Sequence, residues 1–253
     1  IKNYGYKDRQ RIMYNGWWRK FPVNENFPEM AGRKLVSFFE FDTEKNPELV
    51  VKVALSATST EGALKNLQAE AATKDFETIT REAAESWNHQ LASIDMQGTE
   101  GQRAMFYTSY YHTMINPSIY MDVDGKYRGL DHNIHQSDGF TNYTIFSLWD
   151  TYRAEHPLLM LMKPVEARNM VVSMIRHQQQ SVHGLLPVWS HMANDNWCMS
   201  GYHATSVLAD AITKGADIDK AEAMQAMVTT SNVAYFDGVG DYVKLGYVPL
   251  ETS

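Results

Sequence analysis

The sequence predicts an α+β multidomain chain in which the end of a β-sandwich leads through linker helices into part of an α/α barrel. Three observations predict it. Residues 49–56 read LVVKVALS, a β-branched and roughly alternating run that follows turn chemistry at Thr43-Glu44-Lys45-Asn46-Pro47. At Thr60 the apolar period changes from two to that of a helix. Beyond Gly98, amphipathic stretches alternate with loops rich in Asp, Gly, Asn and aromatic residues, which suits a helical barrel whose loops build a pocket at one end.

Residues 1–58 form the first division. Leu35–Phe41 and Leu49–Ser56 are its strands, and residues 1–32 read as irregular. Two strands cannot make a sandwich, so the sequence reads as starting late. It also closes at Ser253 without a helix stop, and both ends read as cut. Residues 59–97 are the linker helices: Ala63, Leu67 and Ala71 share one face, and Ile79, Ala83, Trp87 and Leu91 recur at spacing four after Asp75-Phe76. Residues 98–253 are the barrel division, with helices expected at about 99–115, 143–161, 164–180, 200–214 and 219–230. Asp124-Gly125 between alternating apolar residues predicts a hairpin over 122–127. Thr141 or Asn142, Pro164, Gly215 and Asp219 supply boundary signals.

The chain has 253 residues and a net charge of -7, with no clustered Lys and Arg. That argues against nucleic acid or an anionic membrane as a general partner. No apolar run reaches about 18 residues, so no membrane span is expected. One cysteine, Cys198, excludes an internal disulfide and a CxxC knuckle. Aromatic residues make up 12%, more rings than a core of this size requires. Sugar sites use such rings, since a pyranose packs its C–H face on them while its hydroxyls bond carboxylates and amides.

Residues 141–158, TNYTIFSLWDTYRAEHPL, place Trp149, Asp150, Tyr152 and Arg153 within one helical turn. An aromatic face, a carboxylate and a guanidinium can then converge, with Trp149 and Asp150 at the end of the apolar arc rather than in open solvent. A packed indole beside a surface Asp–Arg pair fits the same residues, and the residues leave both readings open. The loop 183–203 is as dense in stacking and hydrogen-bonding groups, with Trp189, His191, Asn194, Asp195, Asn196, Trp197, Tyr202 and His203 ahead of a helix. Asp195 is its best-placed acid if Trp189 and Trp197 exclude water; a helix cap is the equal alternative. Asp122, Asp124 and Gly125 fail as an EF-hand loop for want of the fifth and twelfth positions. His132 and His135 lack a matching second pair for zinc. No Gly-x-Ser-x-Gly elbow, Gly-x-Gly-x-x-Gly or phosphate loop occurs.

FYTSYYHTMINPS (106–118), DGKYRGLD (124–131), FSLWDTYRAEHPLL (146–159), GLLPVW (184–189) and NWCMSGYHATSVLADAITKG (196–215) closely resemble glycoside hydrolase family 92. These are the calcium-dependent, inverting exo-α-mannosidases of gut Bacteroidetes. The resemblance runs from about Leu35 onward and keeps the family's order. It implies an N-terminal β-sandwich, linker helices and an (α/α)6 barrel, of which 98–253 would be the first half. It further implies an exo-acting α-mannosidase, with α-1,2 linkage preference, that removes terminal mannose from N-glycans or mannans with inversion and Ca2+ assistance. The partner is then a mannose-containing oligosaccharide and the location periplasmic or secreted, in a bacterium.

By the same resemblance Asp195 stands where family members usually carry a Glu that serves as general acid, and Asp is one methylene shorter. No Gly-Asn-Asp-like motif for the base precedes Ser253, so the sequence as written lacks the expected base. Trp149, Asp150 and Arg153 line the terminal mannose subsite, Trp197 flanks Asp195, and Tyr202 and His203 sit near the rim. Trp87 contributes a ring from the linker helices, and Tyr247 lies where relatives touch the second sugar. No residue is assigned to calcium. A non-catalytic carbohydrate-binding protein and another helical-barrel glycosidase are the competing readings.

Overall fold

The computed structural model describes residues 11–14, 17–20, 39–45, 47–236 and 238–250. The chain divides into two compact units, Ile1–Val51 and Lys52–Ser253.

In the first unit, strands β1 (Arg11–Tyr14) and β2 (Trp17–Lys20) pair antiparallel, with Tyr14 opposite Trp17 and Arg11 opposite Lys20. Residues 1–32 were expected to be irregular, yet Asn15-Gly16 stands between the two strands, the strongest short hairpin signal there is. Residues 35–38 of the first expected strand lie outside the described residues. Its remainder and the run 49–56 form no strand. Val53 and Leu55 are 77% and 83% exposed. A strand exists by pairing, and β propensity without a ladder partner leaves an extended segment.

The second unit is helix-rich with a few two- and three-residue strands. Helix α1 (Thr60–Glu70) is capped by Ser59, whose Oγ accepts from Gly62 N, and α2 (Phe76–Leu91) by Asp75, which accepts from Thr78 N. Thr99 and Gln102 form a reciprocal capping box at the start of α3 (Glu100–His112). Asp122 ties the start of the unit to its middle. It is 3% exposed, and its carboxylate accepts from Ser56 Oγ at 2.7 Å, from Asn66 Nδ2 at 2.9 Å and from the Thr58 hydroxyl.

Strand β3 (Ser118–Ile119) precedes a tight turn, where Gly125 N donates to Asp122 O and Gly125 has φ +81°. The expected hairpin over 122–127 is displaced: β4 (Lys126–Arg128) pairs instead with β5 (Ile134–Gln136). The expected helix 143–161 is broken into β6 (Tyr143–Thr144), α4 (Leu148–Thr151) and α5 (Glu155–Met162). Tyr143 pairs with Ile119, Ile145 has φ +65°, and Phe146 N donates to Ser190 O, so tertiary bonds replace the first helical turns. Pro157 falls in the first turn of α5, where a missing N–H costs nothing, and this favours a restart there.

Helix α6 (Pro164–Gln180) carries the core, packing against α5, α7 (His203–Thr213) and α8 (Lys220–Ser231). Phe146, Leu148, Met174, Ile175, Leu186 and Leu208 are almost fully buried there. Between α6 and α7, β7 (Ser190–His191) and β8 (Asn194–Asp195) form a hairpin around Met192 and Ala193, both at positive φ. Helix α9 (Val239–Leu245), not expected from the sequence, is bounded by Gly238 and Gly246 at φ +70° and +81°.

Candidate functional site

Helix α4 and the 183–203 segment meet through Ser147. The Trp189 indole N–H donates to Ser147 Oγ at 2.8 Å, and the Ser147 hydroxyl donates to Asp150 Oδ2. Ser147 N-terminates α4, and Leu148 beside it is fully buried, which anchors the turn that presents Trp149 and Asp150. Both are exposed, not set at the edge of the apolar arc as expected; four residues of helix cannot wrap a stripe inward. Trp149 is 42% exposed.

Arg153 Nε donates to Tyr152 Oη at 3.0 Å, and the guanidinium stands 5.3 Å from the Tyr152 ring and 6.0 Å from that of Trp149. The expected Asp150–Arg153 convergence is thus an Arg–aromatic one, with Asp150 held by Ser147. Tyr152 stacks on His203, centroids 4.3 Å apart and 17° from parallel. Gly201 permits this approach, since a Cβ there would stand 2.5 Å from His203 Nε2.

Asp195, the expected acid, is held by backbone. Its Oδ2 accepts from Val188 N at 2.9 Å, and its Oδ1 from Trp189 N at 3.1 Å and Trp197 N at 3.0 Å. The residue is 8% exposed. A buried carboxylate whose two oxygens gather three backbone N–H groups organises its loop and the backbone of Trp189. The alternative of a cap on the following helix does not hold either, because α7 has no side-chain cap.

Trp197 and Tyr202 share a partner, Phe236, at centroid distances of 5.0 and 5.9 Å, and Trp197 also meets His183 edge-on at 5.3 Å. Both flank the Asp195 loop. Tyr247, 60% exposed, follows α9 and, among the described residues, packs against neither ring group. Trp87 lines a separate cavity between α2 and α6.

One carboxyl that sequence reasoning passed over belongs beside α4. Burial, and secondarily the charge of Asp150, push Glu155 up to about 7. The signal was its position, an acid five residues beyond Asp150 at the start of a helix. A carboxyl poised to hold a proton near neutral pH beside a second acidic side chain is a functional-site feature. Among the described residues no three His, Cys, Asp or Glu side chains gather closely enough to hold a metal ion. Calcium takes about 6–8 oxygen ligands, and this acidic pair alone does not fit such a shell.

A family model for the glycosyl hydrolase family 92 catalytic domain matches residues 62–253. The chain belongs to glycosyl hydrolase family 92. Among solved structures, this family 92 chain is similar to the GH92 alpha-mannosidase BT3965 from Bacteroides thetaiotaomicron, at 42% identity and a TM-score of 0.75, over 78% of this chain and 26% of that one. The complex of BT3965 with mannoimidazole matches at 41% identity, with the same TM-score and coverage. The inverting mannosidase BT2199 from Bacteroides thetaiotaomicron VPI-5482 matches at 32% identity and a TM-score of 0.70, over 77% of this chain and 28% of that one. Among curated proteins none matches. The chain thus spans about a quarter of the length of these relatives.

Proposed function

We propose that the protein is an exo-acting α-mannosidase that binds a terminal mannose at the α4 cluster. The observation that carries this reading is the Trp189–Ser147–Asp150 chain of hydrogen bonds, which fixes the Asp150 carboxylate on α4, next in sequence to the exposed Trp149, within the family-matched region. An indole face for the C–H side of a pyranose and a carboxylate for its hydroxyls are what a sugar subsite requires. The mannoimidazole complex of the similar BT3965 supports mannose as the sugar. In this role Asp150 accepts from sugar hydroxyls, Arg153 and Trp149 form one wall, and Glu155 holds its proton near neutral pH and donates it into a hydrogen bond.

The finer reading is single displacement with inversion, α-1,2 preference on N-glycans or mannans, and Ca2+ assistance, inside an (α/α)6 barrel in the periplasm or outside the cell. Inversion is supported by the similarity to BT2199. It needs two carboxylates about 6.5–9.5 Å apart, and both oxygens of Asp195 already accept from backbone N–H groups. The calcium shell and the reacting pair are proposed to draw on residues beyond those described. Calcium, when bound, would polarise sugar hydroxyls.

The test is mannose release from α-1,2-mannobiose by the longest reading frame that contains this chain, with the anomer of the product read by NMR, and repeated with a chelator. Release of β-mannose that stops on chelation is expected, as is loss, in Asp150→Ala, of the change that mannose produces in the Trp149 indole signal. Release of the α-anomer removes inversion, and an unchanged Trp149 response to mannose in Asp150→Ala removes the α4 subsite. The engagement of Asp195 with backbone favours a second reading, a non-catalytic carbohydrate-binding protein. Mannose binding without release establishes that one.

A further inference from the structure

Trp87 lines an open cavity of about 220 Å3 bordered by α2, the end of α3, β6 and the α5–α6 junction. The volume is far above the roughly 10–15 Å3 that admits a water, and below the roughly 300–1,000 Å3 of sites for drug-sized ligands. It has room for one ring.

We propose that this cavity is a second binding site, for a single neutral sugar ring of hexose size, separate from the α4 cluster. Its wall offers two aromatic groups, Trp87 and Tyr143, and polar groups of both kinds in Gln90, Lys163 and Glu166. The Lys163 ammonium donates to Gln90 Oε1, which fixes it and leaves it further donor positions. Among the described residues Glu166 makes no side-chain hydrogen bond or ion pair, and its carboxylate offers acceptor oxygens on the wall. The Glu166 charge reaches Tyr143, where together with burial, the larger cause, it raises the phenol above its ordinary range. One ammonium and one carboxylate cancel, which disfavours an anion or a cation as occupant. A ring with an apolar C–H face and a rim of hydroxyls, each donor and acceptor at once, matches every group present. No residue of this cavity belongs to the α4 cluster, so the inference stands apart from the function proposed above.

Met114 and Met170 line the cavity and report on it directly. In protein labelled at the methionine methyl groups, titration with D-mannose and with D-glucose is followed by NMR. Saturable shifts of the Met114 and Met170 methyls are expected with at least one sugar, weakened about tenfold or more by Glu166→Gln and retained in Asp150→Ala. Trp87→Ala should abolish them. Because Trp87 also packs edge-on against Tyr111 at 4.5 Å, the near-isosteric Glu166→Gln decides if Trp87→Ala fails to fold. Absence of shifts with both sugars, shifts that survive Glu166→Gln, loss of the shifts in Asp150→Ala, or a response to glycine betaine in place of sugar each overturns the proposal. The α4 reading fails separately, if the change that mannose produces in the Trp149 indole signal persists in Asp150→Ala with the cavity response intact.

Discussion

Tyr152 lies flat against His203, ring centroids 4.3 Å apart, and this contact joins the end of α4 to the first residue of α7. Arg153 covers the Tyr152 ring and bonds its hydroxyl. The position of α4 against the core helices therefore depends on a stack between residues 51 positions apart in the chain. Single substitutions Tyr152→Leu and His203→Ala, and the double variant, should show a coupling of about 0.5–1.5 kcal/mol, the usual worth of an aromatic pair beyond its buried area. Urea midpoints of the four proteins measure it.

Asp195→Asn is expected to destabilise the protein by about 1–3 kcal/mol, because either orientation of the amide sets its NH2 against at least one backbone N–H and leaves that donor unpaired. Both carboxylate oxygens now accept such bonds. Amide exchange at Val188, Trp189 and Trp197 should accelerate together. Unchanged stability and exchange would return Asp195 to the list of candidate acids.

Gly62 and Gly101 are both helical, and alanine should move them in opposite directions. A Cβ on Gly62 would stand 2.4 Å from Asp122 Oδ2, 2.8 Å from Ser56 Oγ and 2.9 Å from Thr58 Oγ1, three atoms already bonded to one another. Gly62→Ala should cost about 1–3 kcal/mol despite better helix propensity. At Gly101 a Cβ meets nothing within 4 Å, and Gly101→Ala should add about 0.5–1 kcal/mol. Calorimetric melting of the two variants checks both signs.

Stability should depend on pH through two buried histidines and the half-buried Glu155, with opposed signs. Burial lowers His156 and His177 from 6.5 to about 4, so both are neutral when folded. Their contribution is complete above pH 6.5 and is lost as pH falls towards 4, because the unfolded chain takes up protons first. Glu155 is raised from 4.5 to about 7, and its contribution is complete below 4.5 and lost as pH rises through 7. Between pH 4.5 and 6.5 two histidines oppose one carboxyl, and the net slope is a rise in stability with pH. In Glu155→Gln that slope should steepen. Urea unfolding from pH 4.5 to 7.5 reads both proteins.

Much of the second unit was legible because its signals are local. Ser59, Asp75, Thr99 and Asp219 cap their helices with their own side chains, and α6 begins at Pro164 as its first-turn proline indicates. The hairpin around Asn15-Gly16 was legible too, and was passed over in favour of longer apolar runs. The break of 143–161 was not legible. Its apolar period is helical, and it yields to strand pairing with Ile119 and a bond to Ser190 made far along the chain.

By itself the sequence determined the family, the order of the helices, and the presence of indoles and carboxylates dense enough for a sugar site, since composition, caps and motif order are properties of neighbouring residues. Only the tertiary structure decided which of them meet. It bound both oxygens of Asp195 to backbone, placed Glu155 beside Asp150, and gave Trp87 a cavity of its own. Such partnerships arise where elements distant in sequence pack against each other, and burial there sets what each charged or aromatic group can do.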